Sequence, residues 1–432
     1  MIHSLYSELR TLYETTPENP HTFRLSLKMK DMIKEPILRE AVDLTMKRYP
    51  YFRVRLKVTP EGLKFEDNPA EVPLLHQDAP SVLGSSENGG HLLLFCWWKN
   101  IVHIDCHHAL TDGGGIYPMI RTLLYYYCSL YYGKELSSEG IRLSDSPVKE
   151  AEWTDPALKP LAVDTSMLIE KREGPAFQLF ESGLIKEKLE RGICYNLRIR
   201  EDEFMRFNLS HDGSPGTIIA LFLARAIEKL RPAVQVPTVV AMCVNQRPAL
   251  KAFDAHQSLV GDVRIVFGER FSKMPFMQQA TAFRGAVALQ SGADMVKQEI
   301  EEYREVMRSL EALPDDASRH RYCVDLMEKK TSAITATVSY VGKAPFGDAE
   351  RYIQEFHVMP STALPSSATP LTIELSAVNG SFYLNFLQYF REDIFLDAFL
   401  EELRENDIDY DVLYQTPMNY PEVGEDFRAF MG

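Results

Sequence analysis

The sequence predicts a mixed α/β (α+β) protein built as two similar lobes. Three observations carry that expectation. The chain has 432 residues, more than one hydrophobic core usually supports, so two domains or one two-lobed domain is the default. Strand-like and helix-like stretches are mixed in both halves. Between the halves, from about Lys134 to Arg191, periodicity fades into a run rich in Ser, Pro and acids, "SSEGIRLSDSPVKEAEWTDPALKP", which reads as an inter-lobe crossing. The expected division is 1–150 for the N-terminal lobe, 151–192 for the crossing and 193–432 for the C-terminal lobe.

The elements follow in order. "HTFRLSLKMK" alternates apolar and polar residues, as a half-buried strand does. In "DMIKEPILREAVDLTMKRYPYF", Ile37, Leu38, Ala41, Val42, Leu44 and Thr45 recur at helical spacing, and Pro50 ends the helix. "FRVRLKV" and "GLKFED" read as a hairpin, as do "HLLLFCWW" and "IVHIDCHH" joined at Lys99-Asn100. "IYPMIRTLLYYYCSLYYG" is a helix with Ile116, Met119, Ile120, Leu123, Leu124, Tyr127 and Leu130 on one face. Pro118 is expected in its first turn and Gly133 at its stop. Its tyrosines suit core packing better than a membrane surface. The second half begins with the strand "YNLRIRE", the helix "DEFMRFNLS", the turn "HDGSPG" and the apolar helix "TIIALFLARAIEKL". "TVVAMCV", "ATVSYVG", "LTIELSAVNG" and "SFYLNFLQY" are strands, and "DIFLDAFLEELREN" is a closing helix.

Composition narrows the function. With 45% hydrophobic and 25% charged residues the chain is ordinary for a globular protein. A net charge of −14 argues against nucleic acid as a partner. An anionic substrate would need a local basic patch. The 6 cysteines are scattered with no C-x-x-C pair, so buried reduced thiols are expected. The N-terminus lacks the apolar core of a signal peptide, and no run reaches the ~18 apolar residues that span a bilayer. A soluble cytoplasmic protein is the expectation.

"HIDCHHALTDGGG", positions 103–115, is the chemical focus. On a strand, Val102, Ile104, Cys106 and His108 share one face while His103, Asp105 and His107 share the other. If the strand holds its register to His108, burial there favours the neutral imidazole that accepts a proton. His107, pointing away, is expected to hydrogen-bond into the scaffold. Asp112 precedes a helix, where a carboxylate caps free N–H groups, or it pairs with a buried Arg. The three glycines allow positive φ or close approach of backbone and substrate. A packed turn without chemistry is one reading. A metal site is another, but adjacent strand residues diverge and no H-E-x-x-H accompanies them, so no metal is expected. The third is a general base for attack on an activated acyl group, worth about 10²–10⁴ in rate.

"HHALTDG" resembles the HHxxxDG signature of the CoA-dependent acyltransferase and condensation-domain superfamily, whose fold is that of chloramphenicol acetyltransferase. It also contains the H-x4-D spacing of glycerolipid acyltransferases, counted from His107, but that family's membrane-associated architecture does not suit this chain. "FRLSLKMKDMIKEPILREAVDLTMKRYPYFRVRL", "DGSPGTIIALFLARAI", "VAMCVNQRPAL" and "ATVSYVG" look like further stretches of the first superfamily in the right order, from about Phe23 to Phe390. Stand-alone length is similar to that of the alcohol acetyltransferase branch. The resemblance implies an active-site tunnel at the lobe interface and a coenzyme A thioester as co-substrate, with no tightly bound cofactor. It implies His108 as general base, Asp112 as structural aspartate, Gly113 as the glycine that leaves the tunnel open, and Arg247 as the cross-lobe partner of Asp112. Ser339 matches a hydroxyl that can bond the developing oxyanion, although Tyr340 stands where an asparagine often follows. The plant-type "DFGWG" segment is replaced by "LPSSATP". The implied activity is acyl transfer, acetyl above all, to a small-molecule alcohol or amine. The alternatives are a condensation-type enzyme served by a separate carrier protein and an inactive binding module of the same fold.

Overall fold

The computed structural model describes residues 7–431 apart from 61, 172–173, 232–235, 362–368 and 419–420. Most of "LPSSATP" therefore lies outside the described residues. The N-terminal half supplies β1 (Thr22–Met29), the hairpin β2 (Val54–Thr59) and β3 (Gly62–Asp67), β4 (Leu74–His76), β5 (Leu93–Trp98) and β6 (Ile101–His107). The C-terminal half supplies β7 (Lys188–Arg200), β8 (Thr238–Asn245), β9 (Val260–Phe267), β10 (Ala336–Tyr340), β11 (Ile353–Ser361), β12 (Leu371–Val378), β13 (Ser381–Phe390) and β14 (Tyr410–Pro417).

Two sheets organise the lobes. One runs β11-β1-β6-β5-β4 and the other β14-β7-β13-β12-β10-β8-β9. The halves are not independent, because β11 leaves the second sheet and pairs antiparallel with β1, Leu25 opposite Val358. Side chains of the second sheet hold β11 in place. Asn385 Nδ2 donates to the Val358 carbonyl at 2.7 Å, and the Tyr383 hydroxyl donates to that of Gln354 at 2.7 Å.

Alternation on the strands decides which side becomes core. Leu25 and Leu27 of β1 and Val102 and Ile104 of β6 pack against the helices Glu35–Arg48 and Gly113–Tyr132 through Leu38, Val42, Ile116 and Ile120. The first of these helices stops at Arg48, two residues before Pro50, with Tyr49 already extended from helical geometry (φ −117°). The second starts at Gly113, earlier than expected, which moves Pro118 from the first turn into the second. There the missing N–H leaves the carbonyl one turn back without its helical partner. Gly133 ends this helix in the left-handed region (φ 58°). Leu130 is not on the buried face but 40% exposed. The tyrosines pack against the core, Tyr127 fully and its neighbours in part. In the second lobe the helix Pro215–Leu230 is buried on most sides, filling the space between the sheet and the helix Ile394–Glu405. Of the 6 cysteines, all free, only Cys243 is not buried. Among the described residues no helix is long and apolar enough to cross a membrane.

The crossing segment is pinned at Glu152, which is 0% exposed. Its carboxylate accepts from Arg48 Nη2 at 2.7 Å, the Tyr51 hydroxyl at 2.9 Å and Arg142 Nη1 at 3.0 Å. Glu152→Ala leaves a buried Arg48 charge unmatched. It is expected to lower unfolding free energy by about 3–5 kcal/mol in denaturant titration, whereas exposed Glu150→Ala changes it by under about 0.5 kcal/mol.

Candidate active site

β6 carries the histidine pair. On its polar face every group is satisfied inside the protein. His103 lies 2.8 Å from Ser26 Oγ and 3.0 Å from Asp78 Oδ1, and Asp105 accepts from Arg24 Nε at 2.6 Å. His107 is fully buried. The Ala109 amide donates to its Nδ1 at 3.1 Å, so the ring proton sits on Nε2, 3.2 Å from Thr15 Oγ1. The ring stacks on Phe427 at 4.6 Å. Burial, then the neighbouring His21 and His108, hold its pKa well below the ordinary histidine range.

The strand ends at His107, so His108 does not continue the β6 alternation. Its amide donates to the His21 carbonyl at 2.7 Å instead, and its ring meets Phe23 edge-on at 5.1 Å. The ring thus stays on the apolar side, and His108 keeps partial exposure where His107 has none. Burial lowers the His108 pKa, opposed by Asp112, by a hydrogen bond to its own carbonyl and by Glu14. Only the ring nitrogen nearest the backbone can reach that carbonyl, so the neutral ring bonded in this way has its lone pair on Nε2. His21 is the neighbour that sequence reading missed. The pairing Thr22↔His107 sets it opposite His108, and burial drives its own pKa down to about 4.

Asp112 and Arg247 meet across the lobes at 1% and 4% exposure. Arg247 Nη1 and Nη2 each lie 2.9 Å from the carboxylate. The remaining guanidinium donors reach the Ala255 carbonyl (3.0 Å), the Gln257 carbonyl (2.7 Å) and Asn245 Oδ1 (3.3 Å). Asp112 also caps the helix, accepting from Gly115 N at 2.8 Å, and accepts from Leu259 N at 2.7 Å. Helix cap and ion-pair partner, which sequence left as alternatives, are held by one side chain.

The glycines answer to space rather than to positive φ, since none of the three adopts it. A Cβ on Gly113 would lie 2.7 Å from Val341 Cγ2, and one on Gly114 2.7 Å from Arg247 Nη1. A Cβ on Gly115 would strike the His256 carbonyl and Thr111 Oγ1. Val341 follows β10, so the C-terminal lobe touches the helix start at Gly113. Two residues earlier Ser339 faces the junction, its hydroxyl bonded to Glu374 and to Cys243. Among the described residues no group of three or more His, Cys, Asp or Glu is placed to hold a metal ion.

Two cavities lie along the junction. The larger, about 1000 Å³, shares Gln246 and Leu259 with the surroundings of the Asp112–Arg247 pair. Each lysine and arginine lining it is already paired, Arg10 with Glu14, Lys171 with Glu299, and Arg264 and Lys330 with Asp262. The smaller, about 320 Å³, lies between β1, β11 and β14 and is lined by Arg24, Lys28, His103 and His357. Its two cations are also paired, with Asp105 and Glu355.

The fold is shared with solved condensation domains and with a coenzyme A-complexed acetyltransferase. The chain superposes on polyketide synthase associated protein 5 from Mycobacterium tuberculosis with TM-score 0.59 and 13% identity, over 93% of this chain and 97% of that one. TRI101 of F. sporotrichioides, complexed with coenzyme A and T-2, matches at TM-score 0.57 and 12% identity over 94% and 99%. The first condensation domain of the CDA synthetase matches at TM-score 0.57 and 12% identity over 94% and 95%. No protein-family model and no curated protein matches the sequence.

Asp112→Ala, which strands the buried Arg247 charge, is expected to cost about 3–5 kcal/mol in chemical unfolding. His107→Ala is expected to cost about 2–4 kcal/mol through its cavity and lost hydrogen bonds, and the part-exposed His108→Ala about 1 kcal/mol or less.

Proposed function

We propose that this protein is an acyltransferase that moves an acyl group, acetyl in the first instance, from a coenzyme A thioester to an alcohol or amine. The reading places it nearest the alcohol acetyltransferase branch. The observation that carries it is the state of His108, an imidazole biased to the neutral form, partly open, and held at the meeting line of the lobes beside a closed ion pair. In this scheme the acceptor oxygen or nitrogen forms a bond to the thioester carbonyl carbon while its proton passes to His108 Nε2. The tetrahedral adduct then breaks its C–S bond, and the imidazolium returns the proton to the departing thiolate. No covalent acyl-enzyme is needed. Ser339 is the donor available to the oxyanion, once its hydroxyl turns from Glu374. Asp112 holds the loop and takes no proton.

The experiment is thiol release from acetyl-CoA with a panel of alcohols and amines. His108→Ala is expected to lower kcat/KM about 10²–10⁴-fold, with His107→Ala compared only as folded protein. Turnover with a phosphopantetheinyl carrier and none with free acyl-CoA would transfer the reading to a carrier-dependent enzyme. No turnover with either would leave a binding module.

The pH profile gives a second check. His108 acts as the neutral base, and burial opposes its protonation more than Asp112 and Glu14 favour it, with His21 and His107 also alongside. kcat/KM is therefore expected to fall on the acid side with an inflection below the ordinary imidazole value of 6.5.

A further inference from the structure

The face of the second sheet turned toward the N-terminal lobe carries one row of polar residues in register across all its strands. Tyr414 of β14 stands opposite Asn196 of β7, which stands opposite Asn385 of β13. Asn385 is opposite Glu374 of β12, Glu374 opposite Ser339 of β10, and Ser339 opposite Cys243 of β8, which faces Asp262 of β9. At a strand spacing of about 4.8 Å the row is roughly 29 Å long. Tyr414 and Asn196 line the smaller cavity and Asp262 lines the larger, so the row runs from one to the other. Its middle lies near the start of the helix Gly113–Tyr132. Ser339 is two residues, about 7 Å, from Val341, whose side chain abuts Gly113. Across the junction Tyr117, one helical turn past Gly113, lies within electrostatic reach of both Asp112 and Glu374.

One member of the row lacks a partner of opposite charge. The buried carboxylates Asp105, Asp112, Glu152 and Glu402 each hold an arginine. Glu374, on a central strand, has the Ser339 hydroxyl and no cation among the described residues. Burial accordingly pushes its carboxyl up to about 7. The large cavity offers no free cation either, and the chain as a whole carries a net charge of −14. A carboxylate set in a part-open junction, reached past an acidic surface, is completed by a positive charge from outside.

We propose that Glu374 is a specificity-determining residue on the acceptor side, and that the acceptor carries an ammonium group distinct from the hydroxyl or amine that is acylated. This rests on the acyltransferase reading. The ammonium binds Glu374 and sets the reach of the second group to His108 Nε2. Glu374 positions the acceptor and exchanges no proton with the reacting atoms.

The test is a matched pair of alcohols, aminopentanol and hexanol, alike in length and hydroxyl and different in an ammonium for a methyl. Thiol release from acetyl-CoA gives kcat and KM, and calorimetry without acyl donor gives binding. Wild-type protein is expected to favour aminopentanol in both. Glu374→Gln is expected to raise its KM and its dissociation constant at least about tenfold with kcat little changed, and to leave hexanol as it was. Glu374→Asp is expected to restore part of the preference. An equal effect of Glu374→Gln on both alcohols, or a wild-type preference for hexanol, overturns the proposal. Charge-selective binding at Glu374 without thiol release from any acyl-CoA upholds the site and overturns the acyl-transfer reading instead.

Discussion

The buried pair between Asp112 and Arg247 is the constraint on which the site depends. Taking both charges out of water costs several kcal/mol per ion, and attraction alone does not recover it. The cost is offset because each remaining guanidinium donor finds a carbonyl or amide oxygen and because Asp112 also accepts two backbone N–H groups. One carboxylate thereby joins the start of a helix in one lobe to the loop after β8 and to the amide of Leu259 in the other. Such a pair has one good geometry and few near alternatives, so its contribution is registration of the lobes more than net stability. The glycines follow from it. A side chain at Gly114 or Gly115 would occupy the space of Arg247 or of the chain around His256.

Registration matters because the histidine segment is an electrostatic arrangement as much as a geometric one. His21, His107 and His108 are brought close by strand pairing, and a charge on one disfavours charge on its neighbours. His107 and His21 are fixed by hydrogen bonds, to Ala109 and Thr15 in one case and to Asn19 in the other. His108 keeps partial exposure, its ring held by its own carbonyl and by edge-on contact with Phe23. A static cluster of neutral imidazoles also lacks the convergent geometry that a metal ion requires.

Much of this was legible in the sequence because local rules and global fold agree there. Alternation in "HTFRLSLKMK" and "IVHIDCHH" gave strands with the correct core face, and the Asp before glycines gave the cap. Legibility failed where a tertiary partner sets the outcome. β11 escaped notice because a strand that completes another lobe's sheet has no hairpin turn beside it to announce it, and β14 because its partner β7 lies about 200 residues earlier. β9 and the helices between Glu269 and Ser332 escaped too. Helices such as Ala293–Glu311 are dominated by charge, with only Met295, Val296, Ile300, Met307 and Leu310 buried, so their apolar stripe is thin. Glu152, in a stretch read as a loose crossing, proved to be an anchor because its partners Arg48 and Arg142 lie far away in sequence. His21 could have been found, since antiparallel pairing of the two strands sets it opposite His108.

Glu374 illustrates the limit most clearly. In "LTIELSAV", Leu371, Ile373 and Leu375 alternate with Thr372, Glu374 and Ser376, and the pattern alone reads as a strand with one wet face. The N-terminal lobe, with β11 in its sheet, converts that wet face into interior. Polar groups caught there must find partners in the opposing lobe or be completed by something else. Asn385 meets the β11 backbone, Ser376 bonds the Phe356 carbonyl, and Asn196 bonds Asn385. Those residues act as mortar between the lobes. Glu374 has the Ser339 hydroxyl beside it, Tyr117 of the facing helix within electrostatic reach, and no cation among the described residues. The lobes that Asp112 and Arg247 lock together thus leave one carboxyl of the second sheet unmatched, a charged position for a substrate to fill.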